Sequence, residues 1–123
     1  MNNQPNILLV EDEAGVCLIH KMFLESMGCQ VTVAVNSDEA QKEIVKPWDL
    51  ILMDVGLPGI TGIEVVKIYR EQEKNAIPTP IVFLTGYQDK ETMDKCIAVG
   101  GNAVFNKPIS RDALKNVVDQ YRI

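Results

Sequence analysis

The chain has 123 residues, of which 46% are hydrophobic and 24% charged, and its formal net charge at pH 7 is -5. That length is typical of one domain with a sizeable buried core, so we expect a single domain over residues 1–123. The composition argues against a disordered chain or a membrane protein, and the acidic balance argues against direct nucleic-acid binding, which needs a clustered basic surface.

Short apolar runs rich in branched residues alternate with longer stretches in which apolar residues recur at helical spacing, which predicts a βαβα order. The runs themselves do not alternate between apolar and polar residues, as is typical of strands covered on both faces. Strands are predicted over residues 6–11, 30–35, 49–53, 80–84 and 103–106.

The first predicted helix covers residues 14–27, and Gly28 supplies its stop signal. His20, the only histidine, is expected on its exposed side. The buried stripe of this helix is expected to contain Val16, Ile19, Phe23 and Met27. Met22, Met27, Met53 and Met93 are all interpreted as filler of the core.

Four further helices are predicted from turn and capping signals. The second runs from Ser37 to about Val45, and the third runs from Gly62 to about Lys74. Asp89 and Ser110 are the expected N-caps of the fourth and fifth. Trp48, before the third strand, is expected to cover the core at the end of the sheet opposite the strand carboxyl ends.

The cysteines and the amino terminus indicate a reducing, cytoplasmic setting without membrane contact. Cys17, Cys29 and Cys96 are odd in number and lack CxxC spacing, so we interpret them as small buried hydrophobes. The first residues do not form a signal peptide, and no apolar run reaches membrane-spanning length.

Helical crossovers between strands imply an α/β fold, with a parallel sheet covered on both faces. Ligands of such sheets collect beyond the carboxyl ends of the strands, near a topological switch point. Four predicted strands end there in reactive side chains, which we expect to form one site. These side chains are Glu11 with Asp12, Asp54, Thr85 and Lys107.

Three carboxylates in one site, from Glu11, Asp12 and Asp54, repel one another unless they are protonated or bridged by a cation. Mg²⁺ is the simplest such cation, because it prefers hard oxygen ligands and often shares phosphate oxygens with the protein. For the first two residues considered alone, capping of the first helix is an equally good interpretation. Asp54 could form an acyl phosphate beside a metal, although a lone strand-end aspartate is more often a cap.

Thr85 and Lys107 supply the other polar groups of the predicted site. The threonine hydroxyl could donate to a phosphoryl oxygen, although such a residue alone is usually structural. The lysine precedes Pro108, whose fixed φ and capacity for a cis bond direct the chain leaving the fifth strand. Taken alone, a lysine is usually a solvated surface charge.

In combination, these features resemble the receiver domains of two-component response regulators over essentially the whole chain. The order and spacing of the motifs match as well. The segments that carry the resemblance are Leu9-Val10-Glu11-Asp12-Glu13, Asp49 to Gly62, Phe83-Leu84-Thr85-Gly86 and Asn106-Lys107-Pro108.

The resemblance implies a flavodoxin-like three-layer sandwich with strand order 2-1-3-4-5 and five helices. It implies a signalling domain rather than an enzyme, in which Asp54 accepts a phosphoryl group from a phosphohistidine on a sensor histidine kinase or a histidine phosphotransfer protein. Thr85 and Lys107 would contact the phosphoryl oxygens, and the surface of helix four, strand five and helix five would then bind a downstream protein. The implied Mg²⁺ ligands are Asp12, Asp54 and the backbone carbonyl of Gly56, with Glu11 reaching the ion directly or through water.

Three residues bear on how closely the chain follows the family pattern. Many receivers carry an aromatic residue three positions before the lysine, where this chain has Val104, so the usual coupling of that residue to the threonine is in doubt. Phe105 is next door, but successive strand residues point to opposite faces, so we expect it in the core. Tyr87 is either a screen over the site or an exposed loop aromatic.

The residues argue against three other classes of protein. A pseudo-receiver would keep the fold as a binding module without phosphoryl turnover. A phosphatase with an aspartyl nucleophile usually needs a second acid two residues on, where this chain has Gly56, and a flavodoxin needs a phosphate loop where Glu11 and Asp12 would repel phosphate. The residues leave open whether the domain stands alone or comes from a larger kinase.

Overall fold

The computed structural model describes residues 4–87 and 89–121, which form five strands alternating with five helices. Every predicted element is present there, and the ends differ from the predictions by one or two residues. The strands are β1 (Asn6–Val10), β2 (Gln30–Ala34), β3 (Leu50–Asp54), β4 (Ile81–Thr85) and β5 (Ala103–Asn106). The helices are α1 (Ala14–Ser26), α2 (Ser37–Ile44), α3 (Gly62–Gln72), α4 (Lys90–Ala98) and α5 (Arg111–Tyr121).

The five strands form one parallel sheet in the order β2-β1-β3-β4-β5. Helices α1 and α5 pack on one face, and α2, α3 and α4 pack on the other. This is the flavodoxin-like sandwich that the resemblance implies. The order places the switch point between β1 and β3, where the chain leaves β1 toward β2 and later returns on its other side.

Two hydrophobic clusters, one on each face of the sheet, explain why the central strands have long apolar runs. Alternate residues of the central strands face opposite layers, so both sets are buried. The first cluster includes Leu8, Ile51, Met53, Phe83 and Val66. The second includes Leu9, Leu52, Leu84, Leu114 and Val118.

Local capping interactions fix the starts of the later helices. Asp89 accepts a hydrogen bond from the amide of Thr92 at 2.7 Å, and the Ser110 hydroxyl accepts one from Ala113 at 3.1 Å, as predicted. Gly28 ends α1 with φ of 83°, a conformation that favours glycine. These interactions satisfy amide groups that a helix leaves without internal partners.

The predicted orientation of α1 is only partly right: Phe23 and Met27 pack against the second cluster as predicted, but the buried face is turned by about one residue. Ile19 is 43% exposed and Met22 is 59% exposed, although both were expected in the core. His20, expected at the surface, is fully buried together with Leu24. A one-residue shift turns a helix by about 100°, and tertiary contacts decided the orientation, because the imidazole of His20 is hydrogen-bonded to the chain after β5.

The remaining core predictions are largely confirmed. Trp48 is half-buried against the first cluster, and its indole donates to the carbonyl of Glu43 at 2.7 Å. Cys29 and Cys96 are buried, whereas Cys17 is half-buried. Burial raises the pKa of Cys96 to about 11, which keeps its thiol protonated at neutral pH.

Candidate functional site

The reactive side chains predicted from the strand ends do meet at one edge of the sheet. Glu11 follows β1 directly, Asp54 and Thr85 are the last residues of β3 and β4, and Lys107 follows β5. Asp54 and Thr85 lie within the ladder rather than after it, since they pair with Leu84 and Asn106. Their backbones are therefore fixed by the sheet.

Glu11, Asp12 and Asp54 form an acidic cluster. Each offers one carboxylate oxygen, and these oxygens lie within 4.8 Å of one another. Glu11 and Asp54 are buried, whereas Asp12 is exposed at the mouth of the cluster. Two buried carboxylates at this separation strongly disfavour each other's ionised forms, so the site requires positive charge.

Lys107 supplies part of that charge. Its ammonium lies 3.1 Å from Oε2 and 3.2 Å from Oε1 of Glu11, and 3.0 Å from Oδ2 of Asp54. Burial by itself lowers the pKa of Lys107, but its close interactions with the two carboxylates outweigh burial, and the pKa is raised. The ammonium is therefore firmly charged and bridges the carboxyl ends of β1, β3 and β5.

The carboxyl of Asp54 differs from an ordinary surface aspartate. Its side chain is 2% exposed. Burial raises its pKa to about 7; Glu11 adds to this increase, and Lys107 opposes it. The amide of Gly56 donates to Oδ1 at 3.1 Å. Oδ2 is an ion-pair partner of the lysine but has no hydrogen-bond partner among the described residues. The ion pair with Lys107 is thus its one contact with a described donor group, and an incoming electrophile or a cation could replace it.

The loop after β3 packs closely against Asp54. The amide of Gly62 donates to the carbonyl of Val55 at 2.8 Å, and a β-carbon at Gly62 would overlap the carbonyl oxygen of Asp54. On the outer side, an added β-carbon at Gly56 or Gly86 would meet no atom within 4 Å. The site is therefore tightly supported from within and open towards solvent at these two glycines.

The Thr85 hydroxyl is engaged with the loop that follows it. It donates to the carbonyl of Tyr87 at 2.9 Å and accepts from the amide of the same residue at 3.2 Å. The Tyr87 side chain is 74% exposed, which agrees with the exposed-loop interpretation rather than with a screen over the site. Any new acceptor for the hydroxyl hydrogen would have to replace the carbonyl of Tyr87.

Val104 and Phe105 lie on opposite faces of β5, as expected from strand geometry. Val104 packs against the first cluster, and Phe105 packs against the second. Phe105 therefore does not substitute for an aromatic residue at position 104.

Capping of α1 does not by itself explain the adjacent carboxylates of Glu11 and Asp12. The N-cap of α1 is Glu13, which makes no side-chain cap hydrogen bond in the described structure. Glu11 does accept from the amide of Glu13, at 3.3 Å, but the same carboxylate pairs with Lys107. The three clustered carboxylates, with an Asp54 Oδ2 that accepts no hydrogen bond from the described residues, suit a hard divalent cation such as Mg²⁺.

Sequence reasoning missed one residue near the site. His20 on α1 accepts a hydrogen bond at Nε2 from the amide of Ile109, two residues after Lys107. The signal that could have found it is local: the histidine lies between Cys17 and Leu24 at helical spacing, on the face that the structure buries.

Comparison with known proteins gives curated relatives and solved structures of the same kind. The chain is 31% identical over 119 residues to the transcriptional regulatory protein CrdR of Helicobacter pylori, covering 96% of this chain and 55% of that protein. It is 33% identical over 117 residues to the sensor histidine kinase GacS of Pseudomonas protegens, covering 93% of this chain and 13% of that protein. The chain thus spans about half of one relative and a small part of the other.

Among solved structures, the chemotaxis response regulator CheY4 of Vibrio cholerae superposes with a TM-score of 0.85 at 28% identity, covering 96% of this chain and 98% of that one. No helix in residues 4–87 and 89–121 is long and apolar enough to cross a membrane. The family model for the response regulator receiver domain matches residues 7–119. With this match, the parallel sheet and the acidic pocket at its carboxyl edge, the chain belongs to the response regulator receiver domain family, a family of signalling modules.

Proposed function

We propose that this receiver domain is a phosphoacceptor, and that Asp54 takes a phosphoryl group from a phosphohistidine on a sensor histidine kinase or a histidine phosphotransfer protein. The observation that carries the proposal is the state of Asp54. Its Oδ2 is buried, accepts no hydrogen bond from the described residues and is held only by an ion pair with a lysine ammonium 3.0 Å away. That one relative is named a sensor histidine kinase agrees with such a donor.

In the proposed step, the Asp54 carboxylate attacks phosphorus, an oxygen–phosphorus bond forms, and the phosphorus–nitrogen bond to the donor imidazole breaks. The electron pair of the broken bond stays on the imidazole nitrogen. Lys107 then shifts its ammonium from the carboxylate to the phosphoryl oxygens, which carry more charge. Positioning and neutralisation of this kind are the main contributions that proteins make to phosphoryl transfer.

Glu11, Asp12 and Asp54, together with the backbone carbonyl of Gly56, are the proposed ligands of Mg²⁺. When bound, the ion offsets repulsion between the acceptor carboxylate and the phosphoryl group. The protein's own part is to hold the acidic residues in place: Glu11 through its pairing with Lys107, and Asp54 through β3 and the Gly56 amide.

The proposed output begins at Thr85. A phosphoryl group on Asp54 offers the threonine hydroxyl a charged acceptor in place of the carbonyl of Tyr87. That exchange pulls the loop after β4 toward the site and shifts a two-state equilibrium of the surface formed by α4, β5 and α5. A downstream protein that prefers the second state would then bind. Since β5 has valine at position 104, the step proceeds without an aromatic residue there.

The decisive test is chemical labelling. We expect the protein, incubated with Mg²⁺ and a small-molecule phosphodonor such as acetyl phosphate, to gain one phosphoryl group that is acid-stable and base-labile, as an acyl phosphate is. Intact-mass spectrometry measures the adduct, and Asp54→Asn should abolish it. Asp119→Asn, an exposed aspartate on α5, is the matched control and should label normally. No adduct, or one that survives Asp54→Asn, would leave a pseudo-receiver as the better description.

A second prediction separates the chemistry from the output. We expect Thr85→Ala to be labelled to a similar extent as the wild type, because the Thr85 hydroxyl does not contact Asp54 in the structure. Its conformational response to phosphorylation should be smaller. The response is the change in amide chemical shifts of α4, β5 and α5 when beryllofluoride, a phosphoryl mimic, is added with Mg²⁺. Thr32→Ala on the remote strand β2 serves as the control. A full response in the Thr85 variant would contradict the proposed coupling.

A further inference from the structure

The buried histidine of α1 joins two parts of the chain that are distant in sequence. His20 is fully buried, and its Nε2 accepts the amide hydrogen of Ile109, which lies 89 residues away, at 3.2 Å. Its Nδ1 is buried and has no hydrogen-bond partner within the described residues. A polar ring placed in an apolar layer with only half of its hydrogen-bonding capacity used costs stability, so its presence calls for an explanation other than packing.

The hydrogen bond specifies the form of the ring. Because Nε2 accepts a proton from an amide, it carries none itself, and the neutral ring therefore holds its proton on Nδ1. Burial lowers the pKa of His20, which favours that neutral form. The ring therefore acts as a fixed acceptor aimed at the backbone of Ile109.

That backbone segment carries Lys107. The amide of Lys107 donates to the carbonyl of Thr85 at 2.8 Å, which anchors the lysine on one side. Pro108 has no amide hydrogen, so Ile109 is the first residue beyond the lysine that can donate a backbone hydrogen bond. The Ile109 side chain is also buried in the second cluster. Lys107 thus lies between two backbone anchors, one at Thr85 and the other at His20.

We propose that His20 is a positioning residue for Lys107: its Nε2 holds the Ile109 amide and thereby fixes the segment that places the lysine ammonium between Glu11 and Asp54. This inference rests on the proposed phosphoacceptor function, since it assigns His20 a part in the same site. The imidazole itself makes no hydrogen bond to Glu11, Asp12 or Asp54 in the structure, so it would act through Lys107.

The test compares two substitutions of His20, one that keeps a hydrogen-bond acceptor for the Ile109 amide and one that removes it. His20→Gln keeps an oxygen near the position of Nε2, whereas His20→Leu is apolar, of similar bulk and without an acceptor. Met22→Ala, at an exposed position of the same helix, controls for effects on α1. Each variant is measured for its labelling rate with acetyl phosphate at saturating Mg²⁺ and for its Mg²⁺ affinity by amide chemical shifts.

We expect His20→Leu to label about tenfold more slowly, because a small displacement of a catalytic group has a large effect on rate. Its Mg²⁺ affinity should fall much less, because Asp54 is held by β3 and the Gly56 amide rather than by Lys107. His20→Gln should restore most of the rate. A merely structural role would lower labelling and Mg²⁺ affinity together, without rescue by glutamine. Equal labelling of the wild type and His20→Leu would overturn the proposal.

The tautomer of the His20 imidazole can also be measured directly, because His20 is the only histidine of the chain. In protein prepared without a histidine tag, long-range ¹H–¹⁵N correlation should show a proton on Nδ1, and the Ile109 amide should exchange slowly in the wild type and faster in His20→Leu. A proton on Nε2 would overturn the inference. Failure of the wild type to label at Asp54 would instead overturn the phosphoacceptor function, and the role of His20 with it.

Discussion

Replacing Lys107 by methionine is expected to lower the free energy of unfolding by about 3 kcal/mol at pH 7.5. The lysine ammonium lies within 3.1 Å of a carboxylate oxygen of both Glu11 and Asp54, whose side chains are buried. Methionine keeps the aliphatic bulk but leaves two buried carboxylates without a counter-charge. Urea unfolding followed by circular dichroism, in the presence of a metal chelator, measures the loss.

Lys115→Met is the matched control, because Lys115 pairs with Asp119 on the exposed face of α5. Exposed pairs of this kind contribute about 0.5 kcal/mol or less. The double variant Lys107→Met with Asp54→Asn should recover part of the stability, since it removes one of the two stranded carboxylates. If the Lys107 and Lys115 variants lost equal stability, the ammonium would not be the group that holds this cluster together.

Replacing Asp54 by asparagine is expected to have the opposite effect and to raise the free energy of unfolding by about 2 kcal/mol at pH 8 without metal. Burial is the largest cause that raises the pKa of Asp54, to about 7. A group whose pKa is raised on folding contributes stability that is fully present below its unfolded value, near 4, and lost as the pH rises through 7. Asparagine has a similar shape and cannot ionise, so it avoids that loss.

The difference in free energy of unfolding between Asp54→Asn and the wild type should therefore depend on pH. It should be largest near pH 8 and should shrink toward zero as the pH falls to about 4, because the aspartate is then protonated in both folded and unfolded states. Thermal unfolding over this range measures it, and Asp119→Asn at the exposed site provides the control. A gain that stays constant with pH would contradict the assigned cause, because packing differences do not titrate.

Much of the site was predictable because the sheet itself brings its parts together. Parallel strands place their carboxyl ends on one edge, so the acidic pair, Asp54, Thr85 and Lys107 could be assigned to one site from the ends of apolar runs. The fold followed from the same alternation of runs and helical stretches.

The partners within the site could not be predicted in the same way. The engagement of the Thr85 hydroxyl by Tyr87 depends on the path of a loop, and the bridging position of Lys107 depends on the distance between β5 and β1. The orientation of α1 could not be predicted because both of its candidate faces contain apolar residues. Packing against α5 and the hydrogen bond from the Ile109 amide select the face that contains His20.

The placement of Asp54 inside the ladder of β3 has a mechanical consequence. Its backbone pairs with Leu84, the following amide of Val55 donates to the Leu84 carbonyl at 3.0 Å, and its own carbonyl touches Gly62. The backbone of the proposed acceptor is therefore held on several sides and has little room to shift when charge is added. If Asp54 is phosphorylated as proposed, we expect the resulting displacement in the loops after β4 and β5, which carry the threonine and the lysine, rather than in β3.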